Sequence, residues 1–200
     1  CSALEASWPA DMDELDSCEG RTIVQGTMFH SNDGGTQIIN SLWHGIPEFA
    51  NADRVWMPSG HSEGRVASAA DEIVIDAHVV DALDLSLGDT VHIGAGSSPV
   101  EFSIVGIGYH PLHVFMAPEG SIFPPEPGQY VVGYVSDSGM ARLTNSTIGN
   151  SNTILLDVEG TPSFDLPDTE EYEGDEIDSV RNLVSRALEN AELDLSLIHI

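Results

Sequence analysis

Apolar positions along the chain alternate between a period of two and a period of three to four, and the switches mark its elements. Thr22-Ile23-Val24-Gln25-Gly26-Thr27-Met28-Phe29 and the run Thr36 to His44 are rich in β-branched and aromatic residues. The turn formers Asn32-Asp33-Gly34-Gly35 separate them, which predicts a hairpin. Glu72-Ile73-Val74-Ile75 predicts a half-buried strand. The period then changes: Val79, Val80, Leu83 and Leu85 share one helical face, with Asp81 and Asp84 off it. This helix should be short and end at Leu87-Gly88-Asp89, Gly88 supplying the left-handed turn into Thr90-Val91-His92-Ile93. Gly94, Gly96, Ser97, Ser98 and Pro99 predict a hairpin loop, and Val100, Phe102, Ile104, Val105 and Ile107 a returning strand.

The flanks are less regular. Residues 1–19 are acidic and mixed, with a short helix predicted around Asp11 to Ser17. Pro47 to Gly64 reads as a surface link with Trp56 and Met57 turned inward. Pro111, Pro118, Pro124, Pro125 and Pro127 predict a rigid irregular crossing. Tyr130 to Val135 reads as a strand, Ser138 to Thr144 as a short helix, Thr153 to Val158 as a strand and Phe164 to Gly174 as an acidic loop. Ile177, Val180, Leu183, Val184, Ala187 and Leu188 recur at three and four, the spacing of a helix lying on a sheet, with Asp175 or Asp178 suited to its start. An alternating strand, Leu195 to Ile200, closes the chain, and the order of elements is α+β without an internal repeat.

Charge changes the picture more than composition does. Of 200 residues, 41% are hydrophobic, enough for a folded core, yet Asp and Glu number 33 against 6 basic residues, for a net charge of −27. All six basic residues are Arg (Arg21, Arg54, Arg65, Arg142, Arg181, Arg186) and Lys is absent. The carboxylates cannot all be paired, so self-repulsion opposes folding wherever counterions are scarce. This points to a halophilic source, with an acidic extracellular domain of a high-GC bacterium as the alternative. No basic patch for nucleic acid can be assembled, and anionic lipid headgroups would repel the chain. No apolar run reaches the roughly 18 to 20 residues that span a bilayer, and no basic stretch precedes an apolar one at the start.

Motifs for chemistry are sparse. His110 and His113 flank Pro111 and Leu112, and Pro111 denies them the helical geometry that would aim both rings at one ion, so they read as a surface loop. His78 and His92 read as partly buried polar tips. No Gly-x-Ser-x-Gly elbow is present, and Gly94-x-Gly96 lies between strands without the Lys of a phosphate loop. Asp89 is expected to hold the Gly88-Asp89 turn by accepting backbone N–H groups. Asn145-Ser146-Thr147 has the form of a glycosylation acceptor. In an oxidising exterior Cys1 and Cys18 can pair, closing a loop worth ~3 kcal/mol; a lipid-modified Cys1 and a simple cut end are the other readings of that position. Tyr109, Leu112, Val114, Phe115, Met116, Ile122 and Phe123 crowd the proline-broken segment. They read either as the floor of a small β subdomain or as a contact patch for a partner.

The stretch from Gly64-Arg65 through "EIVI", the short helix, "GDTVHI" and "FSIVGIGYHP" resembles the extracytoplasmic core domain of MacB/FtsX-like ABC transporter permeases, in the order and at the spacing of that family. Ser41 to Ile46, Trp56 to Arg65, Thr153 to Val158, the helix over roughly Glu176 to Leu193 and Leu195 to Ile200 extend the resemblance on both sides. The resemblance implies a split βαβ-type subdomain from residues 1–64 and 125–200, and an inserted small β-rich subdomain from 65–124. It implies an extracytoplasmic domain of a cell-membrane permease, cut from a longer protein whose membrane helices lie beyond Cys1 and Ile200. Such a domain transmits ATP-driven movement to a substrate or accessory protein and does no covalent chemistry, with no cofactor and no metal. The implied partners are a cytoplasmic ATP-binding subunit reached through those helices, a second permease copy, and an accessory protein or substrate. A free-standing barrel-type binding module is the alternative, since "LGDTVHI" followed by "VGI" also suits double-psi and related barrels. A secreted metallohydrolase, resting on His110, His113 and the acidic surface, is a third. A sheet shared by the N- and C-terminal segments favours the permease, and independent barrels favour the module.

Overall fold

The computed structural model describes residues 1, 6, 15–32, 35–47, 55, 57, 60, 62–96, 98–109, 123, 125–148 and 151–158. The chain divides into two compact units, one of Cys1–Gly20 with Asn152–Ile200 and one of Arg21–Ser151. The N-terminal hairpin and the strand that begins at Tyr130 both pair with strands of the central module.

The strands are β1 (Leu15–Asn32), β2 (Gly35–Ile46), β3 (Glu63–Gly64), β4 (Glu72–Asp76), β5 (Thr90–Gly94), β6 (Val100–Gly108), β7 (Tyr130–Ser136) and β8 (Thr153–Val158). Among the described residues two short helices accompany them, α1 (Val80–Leu83), preceded by a 3-10 turn at Ala77–Val79, and α2 (Asp137–Thr144). The fold is mixed α+β and mostly strand.

Within Arg21–Ser151 the pairings close into a ring. β1 runs antiparallel to β2 from Thr22↔Gly45 to Asn32↔Gly35, and β2 runs parallel to β7 from Asn40↔Tyr130 to Ile46↔Ser136. β7 pairs antiparallel with β4, β4 parallel with β6 and β6 antiparallel with β5. β5 returns to β1 through Thr27↔Gly94, Met28↔Ile93 and Phe29↔His92. Closure leaves no free edge around the ring. Alternate residues are buried on β5 (Val91, Ile93) and along the first part of β6 (Phe102, Ile104), as a one-sided strand requires. On β7, Tyr130 to Val135 are all buried, because Met140 and Leu143 of α2 are buried with them and give the strand a second covered face. Trp43 is fully buried on β2, and its ring lies so close over Gly133 of β7 that a Cβ there would stand 2.3 Å from the indole.

β8 lies hydrogen-bonded beside β1. The expected helix over 11–17 is corrected where it can be seen: Leu15 to Ser17 are strand, since β1 continues past its apolar run. Residues 11–14 lie outside the described set, as do the acidic loop at 164–174, the helix over 176–193 and the strand over 195–200.

Cys1 and Cys18 form a disulfide, with 5.4 Å between their Cα atoms and a sequence separation of 17. Closing a loop of this length in the unfolded chain should be worth ~3 kcal/mol. Reduction, or the Cys18→Ser variant, is expected to lower the stability of the first unit by about that amount. Urea unfolding with and without reductant checks it, and coincident curves would show that the bridge contributes nothing.

Candidate functional site

The most specific part of the sequence, the central module, folds as an interlock. Gly64 on β3 faces Gly106 on β6, and the Arg65 amide donates to the Val105 carbonyl at 3.0 Å. A Cβ on Gly64 would stand 2.2 Å from the Val105 oxygen, and one on Gly106 would stand 2.2 Å from the Arg65 oxygen. Gly64 also has φ +76, a left-handed conformation open to glycine. The two backbones thus approach closer than side chains permit. Opposite, β4 slips register against β6 between Ile73 and Val74, so Ile73 meets Ile104 while Val74 meets Gly106.

Arg65 reaches from this crossing to the first residue of β4. Its Nη1 donates to Glu72 Oε2 at 2.7 Å and its Nη2 to Glu72 Oε1, a bidentate pair. The amides of Ser68 and Ala69 donate to Glu72 Oε2 at 3.0 Å each. The Arg65 guanidinium, followed by these amides, holds the Glu72 carboxyl well below the usual carboxylate range, and Glu72 raises Arg65 in turn. Gly-Arg, "EIVI" and "VGI", apart in sequence, are one joint.

The helix between the strands ends earlier than expected. Asp84, not Gly88, takes the left-handed position, at φ 49, because the Asp84 and Leu85 amides both turn back to the Val80 carbonyl. Gly88 is left-handed as well, at φ +89, in a second turn whose amide donates to Ile104 at 2.8 Å. Asp89 Oδ2 accepts from the Ser86 amide at 2.7 Å.

A buried polar group lies at the far end of β4. Asp76 is wholly buried; its Oδ1 accepts from the His78 amide at 3.0 Å and lies 2.5 Å from His78 Nδ1. Its Oδ2 accepts no hydrogen bond from the described residues. Tyr134 of β7, one strand away, is buried, and this burial, with the Asp76 charge beside it, pushes its hydroxyl far above the ordinary phenol value. The His44 ring of β2 lies 5.5 Å from that of Tyr134. His78 is 43% exposed and meets Tyr109 edge-on at 5.4 Å. A carboxylate orienting an imidazole is half of a nucleophilic constellation, but among the described residues no hydroxyl or thiol bonds to His78. The sequence reading missed Asp76, Tyr134 and His44. One signal was legible: an Asp directly after a β-branched strand, two residues before a His.

His92 lies 3.7 Å from Glu101 on the outer face of β5 and β6. Of the expected contact patch, Tyr109 is half-buried at the end of β6 and Phe123 is 73% exposed. Leu112, Val114, Phe115, Met116 and Ile122 lie outside the described residues, as do His110 and His113. Among the described residues no group of three metal-ligating side chains occurs, and no helix is long and apolar enough to cross a membrane.

No protein-family model and no curated protein matches the chain. Similar solved structures include the extracellular domain of the noncanonic ABC-type transporter YknZ from Gram-positive bacteria. That domain is 15% identical, with 96% of this chain and 84% of that one covered, at a TM-score of 0.49. A domain described as a permease protein's, from Porphyromonas gingivalis, is 13% identical over 90% of this chain and 75% of that one, at a TM-score of 0.37.

Proposed function

We propose that the chain is the extracytoplasmic domain of an ABC transporter permease of the MacB/FtsX-like kind, relaying ATP-driven movement to a substrate or an accessory protein. The observation that carries this reading is the module itself. Its pieces stand in the family's order, and Gly64-Arg65, Glu72 and Gly106, which belong to three of those pieces, meet in one joint. The hydrogen bonding of β1 to β8 adds support, because it joins N- and C-terminal segments in the way a split subdomain requires.

On this reading residues 1–64 and 125–200 form a split βαβ-type subdomain, and residues 65–124 an inserted β-rich one. A ring of strands with no free edge suits a body that passes on displacement without deforming. The cytoplasmic ATP-binding subunit would be reached through membrane helices, and a second permease copy would complete the transporter. The domain has no catalytic role here, and its surface charge suits a saline exterior.

The closed ring also gives the barrel-type binding module its one favourable observation. Isolation of the full gene product from source membranes separates the two. The expected result is co-purification with an ATP-binding subunit whose ATPase activity changes when this domain is deleted. A water-soluble product without such a subunit would overturn the permease reading in favour of the module.

A further inference from the structure

We propose that Asn145 is an N-glycosylation acceptor, taking an oligosaccharide from a lipid-pyrophosphate-linked donor at the outer membrane face; this rests on the extracytoplasmic placement above. Asn145-Ser146-Thr147 is the one Asn-x-Ser/Thr triplet in the 200 residues, and x is not Pro. It sits where α2 ends. Asn145 caps that helix in the left-handed conformation, φ 52 and ψ 42, with its amide donating to the Ala141 carbonyl. The Ser146 amide donates to the same carbonyl at 2.9 Å. The backbone of the turn is therefore fixed by two bonds, neither of which uses the Asn145 side chain. Glycine is the usual residue at such a cap and Asn the next, and neither bond of the turn engages the carboxamide.

That carboxamide is exposed and makes no bond to any described residue. The two hydroxyls that follow are distinguished in the same direction. Ser146 Oγ is engaged with Thr144 Oγ1 at 2.8 Å, while the Thr147 hydroxyl, at the position the acceptor signal requires, is exposed and bonds to none of the described residues. Ile148, 66% exposed, follows directly and offers apolar area that the ring face of a first sugar can cover. A folded molecule thus presents amide and hydroxyl together on a fixed turn, as a transferase acting after folding needs.

In the transfer, Asn145 Nδ2 bonds to the anomeric carbon of the donor sugar. The bond from that carbon to the lipid pyrophosphate oxygen breaks, the pyrophosphate leaves with the electron pair, and the amide proton passes to a base of the transferase. Nothing is oxidised or reduced.

The test is mass spectrometry of the protein from source cells. Trypsin cuts after Arg142 and next after Arg181, so one peptide carries the triplet. That peptide is expected to bear an oligosaccharide on Asn145, with complete loss in Thr147→Ala, retention in Thr147→Ser and retention in Ser146→Ala. Thr147→Ala leaves the helix cap intact, so its loss of sugar cannot be put down to misfolding. Protease added outside intact cells reports placement independently. A protein cleaved from outside yet bare at Asn145 overturns this proposal and leaves the permease reading standing; a protein protected from that protease overturns both.

Discussion

Gly106→Ala is expected to destabilise the chain by ~4 kcal/mol, among the largest effects a single methyl group can have here. The added carbon would stand 2.2 Å from the Arg65 carbonyl oxygen, 3.1 Å from its carbon and 3.1 Å from Val74 Cγ2. Ordinary overpacking of a core costs about 1–3 kcal/mol because side chains yield. The obstacle here is backbone, and that backbone is tied on two sides. The Arg65 amide is bonded to Val105, and its guanidinium is held by Glu72, which the Ser68 and Ala69 amides fix in turn. Retreat of Arg65 would break these bonds. At this chain length ~4 kcal/mol corresponds to a fall in Tm of roughly 8–16 °C. Gly88→Ala is the control: φ +89 makes it strained, but nothing lies within 4 Å of its Cβ, so a loss of about 1–2 kcal/mol is expected. Thermal unfolding of both variants in concentrated salt decides the matter. A Gly106→Ala protein as stable as Gly88→Ala would mean that β3 and β6 do not meet as described.

Much of this joint was legible as pattern but not as contact. The runs at Glu72, Thr90 and Val100 announced β4, β5 and β6 because their periods are local properties of the chain. So did the hairpin of β1 and β2, whose turn formers sit between two β-branched runs. What could not be read was which strands pair across distance. β2 finds β7 some ninety residues later, and β5 finds β1 more than sixty residues back. Local competition explains the smaller differences. Asp84 rather than Gly88 ends α1 because a short polar side chain tolerates the left-handed conformation well enough to stop the helix a turn early. Burial is a tertiary property, so Asp76 looked like one acidic residue among 33 until the fold enclosed it.

Raising NaCl from 0.05 M to 1 M is expected to increase Tm by ~10 °C or more, with most of the rise complete by about 1 M. Screening length falls from roughly 10 Å at 0.1 M to roughly 3 Å at 1 M, so repulsion among unpaired carboxylates at net charge −27 is largely removed. At this size 1 kcal/mol shifts Tm by about 2–4 °C, and relief of several kcal/mol gives the stated rise. Sucrose at equal osmolality separates screening from solute exclusion, which strengthens burial without carrying charge. Acid supplies the sign check. At low salt, lowering pH from 7 toward 5 protonates a fraction of the surface carboxylates, reduces the net charge and should stabilise the fold. Glu72 acts with the opposite sign: its folded value is depressed, so its contribution is fully present above the unfolded value near 4.3 and is lost only as pH falls through the folded one. The Arg65–Glu72 joint therefore survives the range in which repulsion is relieved, and stability at low salt should pass through a maximum on the acid side of neutrality before falling in stronger acid. In 2 M NaCl that maximum should flatten, because the repulsion it relieves is already screened. A Tm independent of salt between 0.05 M and 1 M would show that the acidic surface exerts no net repulsion in the folded state.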